Sequence, residues 1–289
     1  MNREMERRVI EVLKSFEPED EPYYLCYSGG KDSDCIRILA DLAGVKHDIV
    51  NNHTTVDAPE TVQYIRSIPN VHIDMPEYTM WDLIVKKKIP PTRLMRYCCE
   101  ELKEHGGAGR VKITGVRKAE SFSRSENADL VTIIGKPKTI EKLLEELNAE
   151  YRVSRKGGIV LSTDNDASRR AVEYCYKTTS TTINPIIDWS DSEVWEFLNG
   201  YGCRSNPLYE CGFRRIGCIG CPMGGAVSMK REFAIYPEYR KIYVHAFDRM
   251  LKARAEAGLD NKSWHTGEDV MSWWLGEDPA QIKFDLEEE

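Results

Sequence analysis

The stretch YSGGKDSD, Tyr27 to Asp34, joins two segments of different periodicity. The apolar residues YYLCY at 23–27 predict a buried strand, and DSDCIRILADLAG at 32–44 predicts a helix that ends at Gly44. A glycine turn between a strand and a helix commonly binds a phosphate, because its backbone N–H groups and the helix dipole both favour an anion. The presence of Asp32, itself an anion, in such a turn therefore needs an explanation.

This turn is not a phosphate-binding loop of the Walker A type. That motif requires Ser or Thr after its lysine and a glycine six residues before it, whereas Asp32 follows Lys31 and Leu25 occupies the earlier position. At a helix start, the Asp32 carboxylate can cap free N–H groups, which stabilises a helix by about 0.5–2 kcal/mol, and it can hold magnesium against phosphates. We therefore expect a phosphorylated ligand to be bound by Ser28, Gly29, Gly30, Lys31, Asp32 and Ser33.

Helical and strand patterns alternate on both sides of the loop. Further helices are predicted at 3–16, 58–68 and 79–88, and further strands at 46–53, 70–76 and 111–116. This alternation predicts an α/β fold in which a parallel sheet is flanked by helices.

The pattern changes between about Asn127 and Thr182. A strand (DLVTIIG), a helix (TIEKLLEELNAE) and a hairpin that turns at Gly157-Gly158 predict an inserted lobe here. Nearer the C-terminus, aromatic residues at helical spacing predict helices that pack on a core. We therefore expect a nucleotide-binding domain at 1–228, with its inserted lobe at about 127–182, and a helical C-terminal appendage at 229–289.

Several short motifs follow one another in a characteristic order. They are Ser28-Gly29-Gly30-x-Asp32-Ser33, Thr55-Val56-Asp57-Ala58-Pro59-Glu60-Thr61, Gly115-Val116-Arg117, Asn184-Pro185-Ile186-Ile187-Asp188-Trp189, Asp191-x-x-Val194-Trp195, and Asn206-Pro207-Leu208-Tyr209 before Ile216-Gly217-Cys218. From about residue 20 to 225 the chain resembles the phosphoadenosine/adenosine phosphosulfate reductase family, a branch of the PP-loop ATP pyrophosphatase superfamily.

The resemblance implies an adenine nucleotide alpha hydrolase-like, Rossmann-like fold. It also implies that the loop binds an adenine nucleotide, either ATP or an adenosine phosphosulfate-type nucleotide, together with Mg²⁺. Catalytic roles are implied for Lys31, Asp32 and Arg117. The planar guanidinium of Arg117 suits a bidentate contact with a phosphate or sulfate.

Four of the nine cysteines follow the pattern of iron–sulfur members of this family. Cys98-Cys99 and Cys218-x-x-Cys221 resemble the ligands of the 4Fe-4S cluster in adenosine phosphosulfate reductases. A cubane offers a separate iron to each thiolate, whereas a single zinc would require two adjacent cysteines to converge on one ion at about 2.3 Å. The pattern therefore favours a 4Fe-4S cluster over zinc.

A competing ligand set lies within one cysteine-rich loop. Either a cluster or a zinc can be held there without Cys98-Cys99, by Cys203, Cys211, Cys218 and Cys221. The other thiols lie in strand or helix patterns and are expected to be small buried hydrophobes; these are Cys26, Cys35 and Cys175. Whether Cys175, Cys203 or Cys211 replaces a cluster ligand is open at this point.

Two features depart from the reductases. The reductases attack the sulfonucleotide with a cysteine near the C-terminus, whereas here no cysteine follows Cys221. Because the thiolate is the nucleophile, this departure disfavours sulfonucleotide reduction by this chain alone. The resemblance also leaves out the inserted lobe, whose basic residues suit either ordinary solvation or a nucleic-acid acceptor such as tRNA or DNA: Arg152, Arg155, Lys156, Arg169 and Arg170.

The composition fits an ordinary soluble globular protein and not a membrane protein. The chain is 41% hydrophobic and 30% charged, and no apolar run approaches the roughly 20 residues of a membrane helix. Its net charge of −7 argues against indiscriminate nucleic-acid binding. The opening MNREMERRVIEVLKSF is a charged amphipathic helix, not a signal peptide, and nine cysteines without a signal fit a reducing compartment. We expect a cytoplasmic protein without a membrane partner, and a homo-oligomer because related enzymes are often dimers or tetramers.

These observations predict an enzyme that adenylates an acceptor for sulfur transfer. It would bind ATP or an adenylyl nucleotide with Mg²⁺ and carry a 4Fe-4S cluster, with sulfur coming from the cluster or from a sulfur-donor or thiol partner protein. Two alternatives stay open. One is a sulfonucleotide reductase that releases sulfite, with its attacking thiol from Cys203, Cys211 or another chain. The other is a non-catalytic nucleotide-binding subunit or sensor.

Overall fold

The computed structural model describes residues 3–261 and 263–277. Its strands are β1 (Tyr23–Cys26), β2 (His47–Asn52), β3 (Val71–Asp74), β4 (Val111–Ile113), β5 (Val131–Ile134), β6 (Arg152–Val153), β7 (Ile159–Leu161) and β8 (Ser180–Ile183). Its helices are α1 (Arg3–Ser15), α2 (Lys31–Ala43), α3 (Pro59–Ser67), α4 (Met80–Lys87), α5 (Tyr97–Leu102), α6 (Phe122–Asn127), α7 (Pro137–Glu146), α8 (Asp166–Cys175), α9 (Asp191–Gly200), α10 (Gly225–Ile235), α11 (Pro237–Glu256) and α12 (Gly267–Trp274). Short 3-10 helices lie at Lys118–Glu120, Pro207–Tyr209 and Pro222–Gly224.

The eight strands form one mixed sheet in the order β3-β2-β1-β4-β8-β5-β7-β6. The five strands from β3 to β8 in this order are parallel, as the alternating sequence pattern predicts. Strand β5 is antiparallel to both β8 and β7, and β6 is antiparallel to β7. The fold class is therefore confirmed as a helix-flanked α/β sheet, with an antiparallel extension at one edge.

Segment 127–182, expected as an inserted lobe, supplies that extension. The predicted hairpin is present: Val153 pairs with Ile159, and the backbone N–H of Ser154 donates to the Gly158 carbonyl at 2.8 Å. Because β5 pairs with β8, the hairpin continues the central sheet.

Strand β1 and helix α2 place the glycine loop. Tyr23 and Leu25 of β1 are fully buried, as expected for a strand inside a parallel sheet. In α2 the apolar residues Ile36, Leu39 and Ala40 recur at helical spacing and are also buried. The loop is thereby fixed at the carboxyl end of β1, where ligands bind in open α/β sheets.

The chain divides into two compact units. The first comprises 1–52, 60–74 and 106–216 and contains the whole sheet. The second comprises 53–59, 75–105 and the described residues from 217 to 277, and it contains α4, α5, α10, α11 and α12. The predicted C-terminal region at 229–289 thus shares a unit with earlier segments, and its acidic end from residue 278 lies outside the described residues.

Aromatic side chains form the core of the second unit. The Tyr243 ring lies 4.7 Å from Trp81, 5.5 Å from Phe233 and 5.0 Å from Trp274, and Phe247 is fully buried. The prediction that C-terminal aromatic residues pack in a core is confirmed for this cluster. No helix in the described part of the chain is long and apolar enough to cross a membrane.

Candidate functional site

The tight turn of the loop depends on Gly29, where any other residue would be strained. Gly29 has φ of 71°, a conformation that side chains disfavour, and a Cβ there would lie 2.8 Å from Cγ1 of Ile65. Gly30 then precedes the first helical residue, Lys31. The chain turns tightly from β1 into α2, and the first turn of α2 presents N–H groups that the helix cannot pair.

Ser33 closes the start of α2. Its hydroxyl accepts from the Gly30 N–H at 3.1 Å and donates to the Gly30 carbonyl at 2.7 Å, while the Ser28 hydroxyl donates to it at 3.4 Å. The prediction that Asp32 caps the helix is wrong, because its carboxylate instead bonds to the side chains of Lys31 and Arg117.

Those cations belong to a network of four charges. The Arg117 side chain, only 1% exposed, donates from Nε to Asp32 at 2.7 Å, from Nη2 to Asp191 at 2.5 Å and from Nη1 to the Trp189 carbonyl at 3.0 Å. Lys31 Nζ lies 3.0 Å from Asp32 and 3.3 Å from Asp191. The structure thus brings together all three residues predicted to be catalytic, with Arg117 fixed by protein groups.

Asp191 is the fourth member and was not predicted as a site residue. It follows Ser190, whose hydroxyl caps α9 by accepting from the Glu193 N–H. Burial raises the pKa of Asp191, but the Arg117 hydrogen bond and the Lys31 charge outweigh it and hold the pKa below its usual value. The only sequence signal was its place in the Asp191-x-x-Val194-Trp195 motif.

A second buried carboxylate lies one residue beyond Ser33. Asp34 is fully buried and accepts hydrogen bonds from the hydroxyls of Tyr27 at 2.6 Å and Tyr64 at 2.9 Å. Burial raises its pKa to about 6, although the two hydrogen bonds act in the opposite direction. Nothing in the local sequence distinguishes this aspartate from a solvated helical residue.

The motifs that begin at Gly115 and at Asn206 contact the loop and the start of α2. Asn206, 1% exposed, donates to the Gly29 carbonyl at 3.2 Å, and the Tyr209 hydroxyl accepts from the Lys31 N–H at 2.9 Å. Gly115 leaves room for α2, since a Cβ there would lie 2.8 Å from the Asp32 carbonyl. The conformation of the loop therefore depends on residues that are far apart in sequence.

The predicted cluster ligands lie in the second unit. Cys98 and Cys99 are in α5, Cys218 pairs through a β-bridge with Asp57, and Cys221 precedes a 3-10 helix. All four are free and partly buried. The hydrogen bond between the adjacent thiols, together with burial and the charges of Cys218 and Cys221, raises the pKa of Cys98. The four thiols thus lie close enough to affect one another electrostatically.

Cationic groups accompany these thiols. Donation from Cys98 lowers the pKa of Cys99, and so does the Arg96 guanidinium, which donates to its sulfur at 3.3 Å. The charge of Cys218 in turn raises the pKa of Lys103. Within residues 3–261 and 263–277, however, no three or more His, Cys, Asp or Glu side chains are grouped so that they could hold a metal ion.

The competing ligand set is divided between the units. Cys203 lies in the first unit in a cavity of about 300 Å³ with Arg37 and Tyr64, and burial raises its pKa. Cys211 is exposed, also in the first unit. Cys35 and Cys175 are buried as expected, and Cys26 is partly buried.

The basic residues at 152–170 are mostly engaged with protein groups. Arg152 donates to the Ser125 and Ala128 carbonyls at 3.2 and 2.9 Å, Arg155 lies 3.2 Å from Glu126, and Arg169 lies 3.3 Å from Asp166. Lys156 and Arg170 complete the predicted set. Three of these five cations are thus already paired or bonded.

Comparison of sequences relates the chain to known proteins. The model of the phosphoadenosine phosphosulfate reductase domain matches residues 22–223. Two uncharacterized proteins of Methanocaldococcus jannaschii are 24% and 27% identical, over 85% and 79% of this chain and 53% and 42% of their own lengths. The chain thus spans about half the length of these relatives. The adenosine 5'-phosphosulfate reductase of Allochromatium vinosum is 46% identical over 39 residues, 14% of this chain and 15% of that protein.

Comparison of structures finds similarity to two enzymes of Candida species. The phosphoadenylyl-sulfate reductase of Candida auris, in a phosphate complex, has a TM-score of 0.42 and 16% identity, over 73% of this chain and 87% of that one. The FMN adenylyltransferase of Candida glabrata, in complex with FAD and pyrophosphate, has a TM-score of 0.45 and 12% identity, over 75% and 62%.

Proposed function

The chain belongs to the phosphoadenosine phosphosulfate reductase domain family, and from this premise we propose that it binds ATP or another adenylyl nucleotide at Ser28–Ser33 and adenylates an acceptor for sulfur transfer. The observation that carries the proposal is the loop itself. It combines Gly29, whose positive φ disfavours any side chain, with the first turn of a helix and a lysine, all at the carboxyl end of a central parallel strand.

In this proposal, Asp32 and Lys31 have complementary roles. Magnesium binds proteins through one or two carboxylates and takes its remaining ligands from water and substrate phosphates, which suits the partly exposed Asp32. Lys31 Nζ, which lies 3.0 Å from Asp32, would contact the phosphates. Arg117 is a positioning residue, since its donors already hold Asp32 and Asp191.

The proposed chemistry is displacement at the α-phosphorus. An acceptor oxygen forms a bond to this phosphorus, its proton passes to water, and the bond to the bridging oxygen breaks so that pyrophosphate leaves. A magnesium ion held by Asp32 would neutralise charge on the phosphates. A sulfur nucleophile from a sulfur-donor partner protein then displaces AMP from the activated acceptor. The loop N–H groups and Lys31 stabilise the negative charge that develops on pyrophosphate.

We also propose that Cys98, Cys99, Cys218 and Cys221 hold a 4Fe-4S cluster. The four thiols fit this group because none is in a disulfide and they act on one another electrostatically. Arg96 and Lys103 also act on them, and the charges of these two residues would offset an anionic cluster. Such a cluster would supply redox or sulfur chemistry when bound.

The remaining expectations about partners stay predictions. A nucleic-acid acceptor at 152–170 has the weakest support, because three of the five basic residues there are engaged. The homo-oligomer and the cytoplasmic location rest on the sequence argument.

One experiment tests both parts. The protein is purified without oxygen, its iron and sulfide are counted, and it is given ATP or adenosine phosphosulfate in parallel, with pyrophosphate and sulfite measured. We expect about four irons per chain and pyrophosphate release from ATP in the presence of acceptor. Cys98→Ser should lose the iron, whereas Cys175→Ser, a buried thiol in α8, should keep it.

The outcomes separate the candidates. Sulfite released from adenosine phosphosulfate would favour a sulfonucleotide reductase, the second candidate suggested by the segment shared with the Allochromatium vinosum enzyme. Nucleotide binding with neither product would favour the sensor. A colourless protein with one zinc would contradict the cluster.

A further inference from the structure

The hydroxyl of Tyr209 lies where an anion oxygen would bind at the start of α2. It accepts from the Lys31 N–H at 2.9 Å, and a Cβ on Gly30 would lie 3.3 Å from it. The first N–H groups of a helix point outward along its axis and are the groups that bind a phosphate in a loop of this kind. Tyr209 therefore already occupies the edge of the proposed phosphate site.

The position of this hydroxyl is fixed by its own segment. Tyr209 ends the 3-10 helix Pro207–Tyr209, and Asn206 begins it by accepting from the Leu208 N–H at 3.1 Å. Asn206 also donates to the Gly29 carbonyl. The Tyr209 ring packs edge-to-face on Trp195 at 4.9 Å. One short segment thus contacts the loop at two places, and the aromatic contact limits rotation of the tyrosine.

The hydroxyl retains one hydrogen to donate. A phenol accepts and donates, and here the accepting side is used by Lys31. Among the residues that the structure describes, its O–H has no acceptor. Burial raises the pKa of Tyr209, and the nearby carboxylates of Asp32, Asp34 and Asp191 add to this effect. The group is therefore a neutral donor at physiological pH, beside a loop built for an anion.

We propose that the Tyr209 hydroxyl donates a hydrogen bond to a phosphate oxygen of the nucleotide held by Ser28–Ser33, so that the segment 206–209 supplies a phosphate ligand as well as support for the loop. The inference rests on the nucleotide-binding part of the proposed function and is independent of adenylation and of the cluster.

The test compares two tyrosines that each lose only a hydroxyl. Binding of Mg·ATP and of Mg·pyrophosphate to the full chain is measured by calorimetry for the wild type, Tyr209→Phe and Tyr23→Phe. The Tyr23 hydroxyl donates to the Leu13 carbonyl at 2.8 Å, away from the loop. A hydrogen bond to a charged group is worth enough that its loss weakens binding about tenfold or more. We expect this loss for both ligands in Tyr209→Phe and no loss in Tyr23→Phe.

Thermal unfolding of each variant without ligand accompanies the binding measurement. We expect Tyr209→Phe to unfold close to the wild-type temperature, because the ring and its contact with Trp195 remain. Unchanged or tighter binding by Tyr209→Phe would overturn this inference alone, since the hydroxyl would then merely compete for the Lys31 N–H. Absence of binding by the wild type would overturn the proposed function, and this inference with it.

Discussion

Replacing Arg117 by methionine tests whether this arginine holds the loop together before any nucleotide binds. Its side chain is 1% exposed and bonded to two carboxylates and a carbonyl. Removing one partner of a buried ion pair typically costs about 3–5 kcal/mol. The exposed fractions of Asp32 (23%) and Asp191 (69%) place this case at the lower end. We expect the free energy of unfolding to fall by about 3 kcal/mol.

The geometry divides that loss unequally between the two carboxylates. Asp191 is largely exposed, so water screens its pair with Arg117, and such pairs contribute about 0.2–1 kcal/mol. Asp32 is the less exposed of the two carboxylates and should carry most of the coupling. Double-mutant cycles that combine Arg117→Met with Asp32→Asn or Asp191→Asn should give about 2 kcal/mol and under about 1 kcal/mol respectively.

Urea unfolding without nucleotide, at one pH and ionic strength, measures these energies, and constant m values show that the unfolded state is comparable. A loss under about 1 kcal/mol for Arg117→Met would refute the positioning role. A larger coupling with Asp191 than with Asp32 would refute the argument from exposure.

Three further predictions concern the same loop. The native pKa of Asp34, about 6, exceeds the ordinary 3.8, so the native state binds more protons and the free energy of unfolding should fall by about 2 kcal/mol between pH 4 and 7. Urea unfolding of Asp34→Asn should lack this slope, and an equal slope would contradict the prediction. Gly29→Ala should lower the free energy of unfolding by about 1–3 kcal/mol more than Gly44→Ala does, because both glycines have positive φ but only a Cβ at 29 would clash with Ile65. Equal losses in urea unfolding would contradict the clash. ATP should bind at least about tenfold more weakly in chelator than with Mg²⁺, since Asp32 repels free phosphates; equal affinities in calorimetry would argue against an ion at Asp32.

Local patterns in the sequence predicted the parts of the fold that local interactions determine. The glycine loop, helix α2 and the first three strands follow from apolar periodicity and glycine positions that lie within a few residues of one another. Strand β8 escaped prediction because its residues STTI lack an apolar run, although Thr181 and Ile183 are fully buried. Its burial comes from β4 and β5 on either side, which the sequence of β8 does not indicate.

The hairpin at 152–161 shows a similar limit. Its turn is encoded by Gly157-Gly158, and the prediction of a hairpin is confirmed. Its place in the sheet depends on pairing between β5 and β8, and the register between distant strands is set by which faces become buried, not by the turn. A separate lobe and a sheet extension have the same local pattern.

Asp32 in the glycine loop shows why the site was only partly predictable from the sequence. Asp32 is tolerated there because Arg117 and Lys31 lie within hydrogen-bond distance of it, and the first of these is 85 residues away in sequence. With Asp191 the network contains two positive and two negative side chains, so the carboxylates partly offset the attraction of Lys31 and Arg117 for a phosphate. A motif identifies the residues, but the charge that a nucleotide meets depends on contacts between distant segments. On the proposed function, a magnesium ion beside Asp32 would offset the negative charge that each phosphate adds there.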